Sequence, residues 1–138
     1  DAATGELVYA NGGHEPPAIL RSSGDIERLD PTAPAVGLMA GTRFETRTVT
    51  LGPGDTLFAF TDGLTEARSP SGELYEDHRL LGVIGSTDGP VDAVLDAIEA
   101  GVDRHVGGGP RGDDMTLLVV QREPHFMRAT ADIEKGVA

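Results

Sequence analysis

Hydrophobic and polar positions in the first third of the chain follow the short pattern of β-strands. The stretches 5–13 (GELVYANGG) and 16–29 (PPAILRSSGDIERL) each place a few apolar residues between Gly and Ser turns, which predicts short strands. Ser23, Gly24 and Asp25 interrupt the second stretch and predict a hairpin turn. We therefore expect the chain to open with a β-meander, in which successive strands pair with one another.

Two further stretches predict strands with different surroundings. In 43–51 (RFETRTVTL) one face carries Phe44 and three threonines while the other carries Val49, which is typical of a strand with one partly solvated side. In 55–63 (DTLFAFTDG) both faces are apolar between Leu57 and Phe60. This indicates a strand covered on both sides, as at the centre of a layered fold.

The second half of the chain repeats its apolar residues with the period of an α-helix. Residues 76–86 (EDHRLLGVIGS) predict a helix that Gly82 weakens. Residues 89–106 (GPVDAVLDAIEAGVDRHV) predict a stronger helix, with Pro90 at its first helical position. Its apolar stripe consists of Val91, Val94, Leu95, Ile98 and Val102.

A glycine-rich stretch and a final strand follow the second helix. Residues 107–112 (GGGPRG) match G-x-G-x-x-G, but a phosphate-binding loop of that kind follows a strand and opens a helix, and here the order is reversed. We interpret it as a flexible loop. Residues 113–120 (DDMTLLVV) predict a strand that is apolar from Met115 onward, and 124–138 is predicted to be a polar tail or linker.

Length and charge limit the classes of function. The 138 residues correspond to one domain or part of one, and no apolar run is long enough to cross a bilayer. The formal net charge of −12 repels phosphate backbones and anionic headgroups, so we expect neither nucleic acid binding nor membrane insertion. The chain begins at Asp1 with neither Met nor a leader pattern, and we expect an upstream segment to precede it.

The residue types present also exclude several chemistries. The sequence contains no cysteine, which excludes disulfides, thiolate zinc sites and cysteine nucleophiles, and fits a reducing cytoplasm. The four histidines, His14, His78, His105 and His125, show no metal-binding spacing. A hydrolytic site in this chain therefore has to rely on other groups.

Carboxylates stand where two apolar strands are predicted to end or begin. Asp62 follows the strand of 55–61, and Asp113 and Asp114 precede the final strand. Each has an ordinary interpretation, because Asp-Gly is a turn signal and a charged pair can protect a strand edge. Yet burying carboxylates at strand ends costs desolvation energy unless a cation or donors neutralise them. Two such places in one small domain indicate a shared cation.

Three motifs give the chain a family resemblance. In this order, YANGGHEPPAIL, LGPGDTLFAFTDGLTEA and GDDMTLLVV resemble the C-terminal part of a SpoIIE/RsbU-type serine/threonine phosphatase of the metal-dependent PPM (protein phosphatase 2C-like) family. We assign 1–123 to that domain. The resemblance implies an α+β fold, the PPM-type α-β-β-α sandwich, in which an antiparallel β-sandwich is flanked by helices and the N-terminal portion is missing here.

The resemblance also implies a metal centre and assigns residues to it. Such phosphatases hold two Mn²⁺ or Mg²⁺ ions, and a water between the metals attacks phosphorus, so no catalytic side chain acts as nucleophile. By motif, Asp62 and Asp113 are metal ligands. Asp114 and Gly63 lie next to them. Asn11 and His14 belong to the signature N-A-G-H-x-P-P, with Gly12 replacing Ala, and are structural or adjacent to the site.

One expected motif is absent. D-x-S-G-H-G, which supplies a metal-bridging Asp in the family, does not occur and would lie upstream of Asp1. The resemblance therefore implies a fragment that is inactive alone. Its substrate would be a phosphorylated regulatory protein of the anti-anti-sigma type in the cytoplasm, with further signalling domains in the same polypeptide. The alternatives are a non-catalytic interaction module and a cation-binding domain without turnover.

Overall fold

The computed structural model describes residues 1–87, 89–109 and 112–124. It contains nine elements in this part of the chain, which are β1 Glu6–Tyr9, β2 Ala18–Leu20, β3 Ile26–Arg28, β4 Arg47–Thr50, β5 Thr56–Phe60, α1 Asp62–Thr65, α2 Glu76–Ser86, α3 Val91–Val106 and β6 Leu117–Gln121. Residues 125–138 of the predicted tail (124–138), with His125, lie outside the described residues, as do Pro110 and Arg111 of the glycine-rich stretch.

The six strands form two antiparallel sheets. One sheet has the order β3-β2-β5-β6, and the other consists of β1 and β4 alone. The hairpin between β2 and β3 is confirmed, because the Gly24 amide donates to the Arg21 carbonyl at 2.8 Å and Gly24 has φ +92°. The opening meander is wrong, since β1 pairs with β4 rather than β2. A hydrogen-bonded turn at Asn11–His14 carries the chain from one sheet to the other.

Strand β5 is covered on both faces, as its apolar pattern predicts. Phe58 and Phe60 are buried against the helices, in one core cluster with residues of α2 and α3. Leu57 packs on the opposite face with Ile19 and Leu51, under the sheet of β1 and β4. The layers are therefore helices, a four-stranded sheet and a two-stranded sheet. In the described part of the chain no helix covers the outer face of β1 and β4, where Val8 is 55% exposed.

Both predicted long helices form within two residues of their expected bounds. Helix α2 runs through Gly82, at which an added Cβ would meet nothing within 4 Å. Helix α3 begins at Val91, so Pro90 is the residue before the helix and not its first residue. Val94, Ile98 and Val102 of α3 are buried. Gly107 ends α3 in the left-handed conformation (φ +64°), with its amide bonded to the Asp103 carbonyl.

The final strand begins four residues later than predicted. β6 pairs with β5 in the register Phe60↔Leu117, and beyond Phe60 the chain turns into α1. Residues 113–116 consequently extend past the end of β5 and have no partner strand beside them. Leu118 and Val120 point to the incompletely covered face of the sheet and are 56% and 44% exposed.

Candidate functional site

The antiparallel registers bring four segments to one end of the molecule. Ala18 pairs with Phe58 and Leu117 with Phe60, so the start of β2, the end of β5 and the start of β6 meet there. Arg28 of β3 lies beside Ala18, which adds the segment after β3. These four segments are 10–17, 29–46, 61–63 and 113–116. All six residues that the sequence predicts as ligands or their neighbours are found in them.

Asp62 is both part of a turn and available to a ligand. It is the first residue of the one-turn helix α1, and its carbonyl accepts hydrogen bonds from the Glu66 amide at 2.8 Å and the Thr65 hydroxyl at 3.2 Å. These bonds use only the backbone. Asp62 is exposed, and no hydrogen bond from another described residue to its carboxylate is found. The local fold therefore needs an Asp-Gly turn but leaves the carboxylate for another partner.

The segment that carries Asp113 and Asp114 lies directly against α1. A Cβ added to the buried Gly63 would stand 2.5 Å from the Asp114 carbonyl oxygen, so only glycine permits this approach. The Thr61 hydroxyl donates to the same oxygen at 3.1 Å and accepts the Thr116 amide at 3.0 Å. The two acidic segments are thus in backbone contact. The role of Asp62 and Asp113 as ligands stays a prediction.

The donor set suits a hard divalent cation but is incomplete. Carboxylate oxygens are the ligands that Mg²⁺ and Mn²⁺ prefer. Among the described residues, however, no three His, Cys, Asp or Glu side chains are grouped so that they could hold a metal. The Oδ1 atom of Asp113 accepts the Asp114 amide at 2.7 Å. Because such ions take about six oxygen ligands, the described residues fit a metal centre only if water and further residues complete it.

Asn11 and His14 form a structural turn at the same end. The buried Asn11 side chain donates to the His14 carbonyl at 3.0 Å and accepts the His14 amide at 2.8 Å. The His14 ring is exposed, with Nδ1 3.1 Å from the Glu15 carbonyl. Asn11 also accepts the Thr32 and Ala33 amides through its own carbonyl. These contacts favour the structural interpretation of the motif.

A cavity of about 700 Å³ opens beside Gly63 and Asp113. Its other walls are the segment after α1, from Glu66 to Pro70, and the end of α3 at Val106–Gly109. Asp62 is not part of its lining. Nothing in the sequence distinguishes Arg68 and Ser69, because charged and hydroxyl residues are common in polar turns.

A buried carboxylate that no sequence pattern indicates, that of Asp55, lies at the opposite end of the molecule. Asp55 is 4% exposed and accepts hydrogen bonds from the Ser22 amide at 2.8 Å, the Gly52 amide at 2.9 Å and Arg21 at 2.6 Å. Burial alone would raise the pKa of Asp55, but these donors together lower it below the ordinary value. Because all three donors belong to this chain, Asp55 joins the turn after β2, at Arg21 and Ser22, to the turn before β5, at Gly52.

Comparison with known proteins places the chain in a family. Residues 1–123 match the model of Stage II sporulation protein E (SpoIIE). The chain is 38% identical over 122 residues to Protein IcfG of Synechocystis sp.. Its fold is similar to the RsbU and RsbW domains of Rv1364c from Mycobacterium tuberculosis (28% identity, TM-score 0.70, 88% of this chain). It is also similar to the SiaA-PP2C domain of Pseudomonas aeruginosa (23% identity, TM-score 0.72, 86% of this chain).

The match covers only part of each relative. The chain spans 19% of Protein IcfG, 34% of the M. tuberculosis chain and 47% of the P. aeruginosa chain. No helix of the described residues is both long and apolar enough to cross a membrane. The antiparallel sheets and the helices packed on them confirm the expected α+β fold of the PPM type. The chain belongs to the SpoIIE family and corresponds to part of a PP2C-type phosphatase domain.

Proposed function

We propose that the chain is part of a metal-dependent phosphoserine/phosphothreonine protein phosphatase and contributes two carboxylate ligands to its metal centre. The observation that supports this most directly is the contact between Gly63 and the Asp114 carbonyl, which brings the segment of Asp62 beside that of Asp113. Asp62, Asp113 and Asp114 are all exposed, so the expectation of carboxylates buried at strand ends is wrong, and the assignment depends on the motifs together with this contact. In a chain of this family the arrangement favours a cation site.

In the proposed site, the residues of this chain have distinct tasks. Asp62 and Asp113 hold Mn²⁺ or Mg²⁺ ions through carboxylate oxygens, and Asp114 lies next to them. Gly63 allows the close approach, and Thr61 fixes the Asp114 carbonyl. When bound, two such ions supply an activated water and neutralise charge on the phosphoryl group. No side-chain nucleophile is required, in keeping with a sequence that lacks cysteine.

The proposed active unit is larger than this chain. The described residues supply two carboxylates, and the motif D-x-S-G-H-G, with its bridging Asp, does not occur in the sequence. We propose that an upstream segment provides the remaining ligands and that the 138 residues alone have little turnover. The proposed substrate is a cytoplasmic phosphoprotein of the anti-anti-sigma type. A structural neighbour joins an RsbU domain to an RsbW domain, which supports further signalling domains in the same polypeptide.

The test uses a polypeptide that restores the upstream half. Asp62→Asn and Asp113→Asn each remove one ligand charge, and each should reduce Mn²⁺-dependent hydrolysis of a phosphoserine peptide by at least about a hundredfold, since metal ligands contribute several kcal/mol. Asp96→Asn, which makes the same change on the exposed side of α3, is the matched control and should retain activity.

Unchanged turnover in the Asp62 or Asp113 variant would contradict the ligand assignment. If the complete domain binds Mn²⁺ but does not hydrolyse phosphopeptides, the alternative of a cation-binding domain holds instead. If it neither binds Mn²⁺ nor hydrolyses, the alternative of an interaction module holds.

A further inference from the structure

An uncharged apolar loop lies at the same end of the molecule as the candidate metal site. Residues 31–42 (PTAPAVGLMAGT) contain no charged side chain, although 25% of the whole chain is charged. Val36 is 78% exposed, Leu38 69% and Met39 61%, and Phe44 beyond the stretch is 42% exposed. We call these four residues the rim patch. Large apolar side chains held in water in this number are typical of a protein contact surface.

The first part of the loop is hydrogen-bonded to the turn at Asn11 and Gly12. The Thr32 and Ala33 amides donate to the Asn11 carbonyl at 2.9 and 3.2 Å, and the Val36 amide donates to the Gly12 carbonyl at 3.1 Å. The Met39 carbonyl accepts the Thr42 hydroxyl at 2.8 Å. The bonds to Asn11 and Gly12 fix the backbone of 32–36, so that part of the surface loses little conformational entropy when a partner binds.

Gly12 fits the rim patch closely. A Cβ added to Gly12 would stand 2.8 Å from both Val36 and Phe44, so these two side chains pack over the bare backbone of the turn. Leu38 and Met39 are not among the side chains nearest to that position, and both are more than 60% exposed. The rim patch therefore combines two side chains that pack on the turn at Gly12 with two that are mostly exposed.

The charge of the chain indicates what kind of partner the rim patch fits. A net charge of −12 repels, on average, a partner that carries a phosphate group. The rim patch is a neutral area at the end where a phosphoserine has to enter. Contact surfaces are likewise depleted in charge at their centre and enriched in Met and aromatic residues.

We propose that the rim patch is the docking surface for a folded phosphoprotein substrate, which Leu38 and Met39 contact through their apolar side chains. This rests on the proposed phosphatase function. The surface gives affinity for the protein that carries the phosphoserine and takes no part in the hydrolysis itself. A small phosphate ester does not reach it. Docking therefore affects only the turnover of protein substrates.

The experiment compares two substrates in the polypeptide that restores the upstream half. One is an anti-anti-sigma protein of the same organism, phosphorylated on serine, and the other is p-nitrophenyl phosphate. For Leu38→Ser/Met39→Ser we expect kcat/KM for the phosphoprotein to fall at least about tenfold, with p-nitrophenyl phosphate hydrolysis and the melting temperature unchanged. Equal loss on both substrates, or a lowered melting temperature, would show that the patch packs against the rest of the protein and overturn the proposal.

A matched pair of variants tests the charge argument. Leu38→Glu and Leu38→Lys place opposite charges at one exposed position, and the Glu variant should lower kcat/KM for the phosphoprotein more than the Lys variant does. No difference between the two would contradict the argument from charge. Calorimetry of phosphoprotein binding without metal separates the docking proposal from the proposed phosphatase function. The affinity should fall in Leu38→Ser/Met39→Ser even if the domain has no phosphatase activity. Unaltered binding would overturn the docking proposal and leave the proposed phosphatase function standing.

Discussion

Replacing Gly63 by alanine perturbs the contact that joins the two acidic segments. The added methyl carbon would lie 2.5 Å from the Asp114 carbonyl oxygen and 3.0 Å from its carbonyl carbon, and both atoms are backbone that cannot rotate away. An ordinary carbon–oxygen contact is about 1 Å longer, so either α1 or residues 113–114 have to move. Overpacking of this kind costs about 1–3 kcal/mol.

The net change in stability on Gly63→Ala also depends on the different helix propensities of glycine and alanine. Alanine favours a helix over glycine by up to about 1 kcal/mol, and α1 is too short to gain all of it. We therefore expect Gly63→Ala to lower the free energy of unfolding by about 1–2 kcal/mol. Gly82→Ala is the matched control, because its Cβ would meet nothing within 4 Å in the longer helix α2. That variant should gain about 0.5–1 kcal/mol.

Urea unfolding of the chain, followed by circular dichroism, measures both changes. With a slope of about 2 kcal/mol per molar urea, the midpoint should fall by about 0.5–1 M for Gly63→Ala and rise for Gly82→Ala. In the complete domain Gly63→Ala should also weaken Mn²⁺ binding, which Gly82→Ala should not. If Gly63→Ala is as stable as the parent chain, or gains stability as Gly82→Ala does, residues 113–114 do not lie against α1 and the proposed site fails.

Two other perturbations follow from single residues. Glu76, the first residue of α2, has φ +62°, a conformation that costs a non-glycine residue about 1 kcal/mol. Glu76→Gly should therefore raise the melting temperature, and Glu76→Ala should not. Equal melting temperatures in the two variants would show that the backbone at this residue is not strained. Asp55→Ala leaves the Ser22 and Gly52 amides without their acceptor, while Arg21 keeps Glu27 and the Thr50 carbonyl, and should cost about 2–4 kcal/mol in urea unfolding. Folding lowers the pKa of Asp55 below its ordinary value of 3.8. The ionised carboxylate therefore stabilises the fold fully above pH 3.8, and this stabilisation is lost as the pH falls through the lower pKa of the folded state. The parent chain should therefore lose stability in acid more steeply than Asp55→Asn, and parallel pH profiles would show that Asp55 is not the responsible group.

The order of elements and the core could be predicted because periodicity carries that information. The stripe of α3 and the apolar run of β5 occur where their spacing indicates. The pairing of β1 with β4 could not be predicted, since short strands of similar composition do not specify a partner. The start of β6 could not be predicted for a related reason, because β6 begins at the residue opposite the end of β5 and not where the apolar residues begin.

The site residues stay predictions from the motifs, whereas the contacts between their segments come from the structure alone. Asp62 and Asp113 follow from motifs, and the antiparallel registers explain why they share an end. The fit of Gly63 against Asp114 is a backbone contact that no local pattern encodes. Asp55 likewise has no distinguishing local pattern, since only the fold shows that the second residue of the Gly54-Asp55 pair is buried among three donors.

The central claim is that Asp62 and Asp113 bind the same metal centre. Anomalous diffraction at the manganese edge, from crystals of the domain completed by its upstream half and grown with Mn²⁺, tests it most directly. We predict anomalous peaks at the end of the sandwich where β5 meets α1, with a carboxylate oxygen of Asp62 and one of Asp113 bonded to the ions. Manganese bound there by other residues alone, or carboxylates of Asp62 and Asp113 directed away from every peak, would contradict the claim.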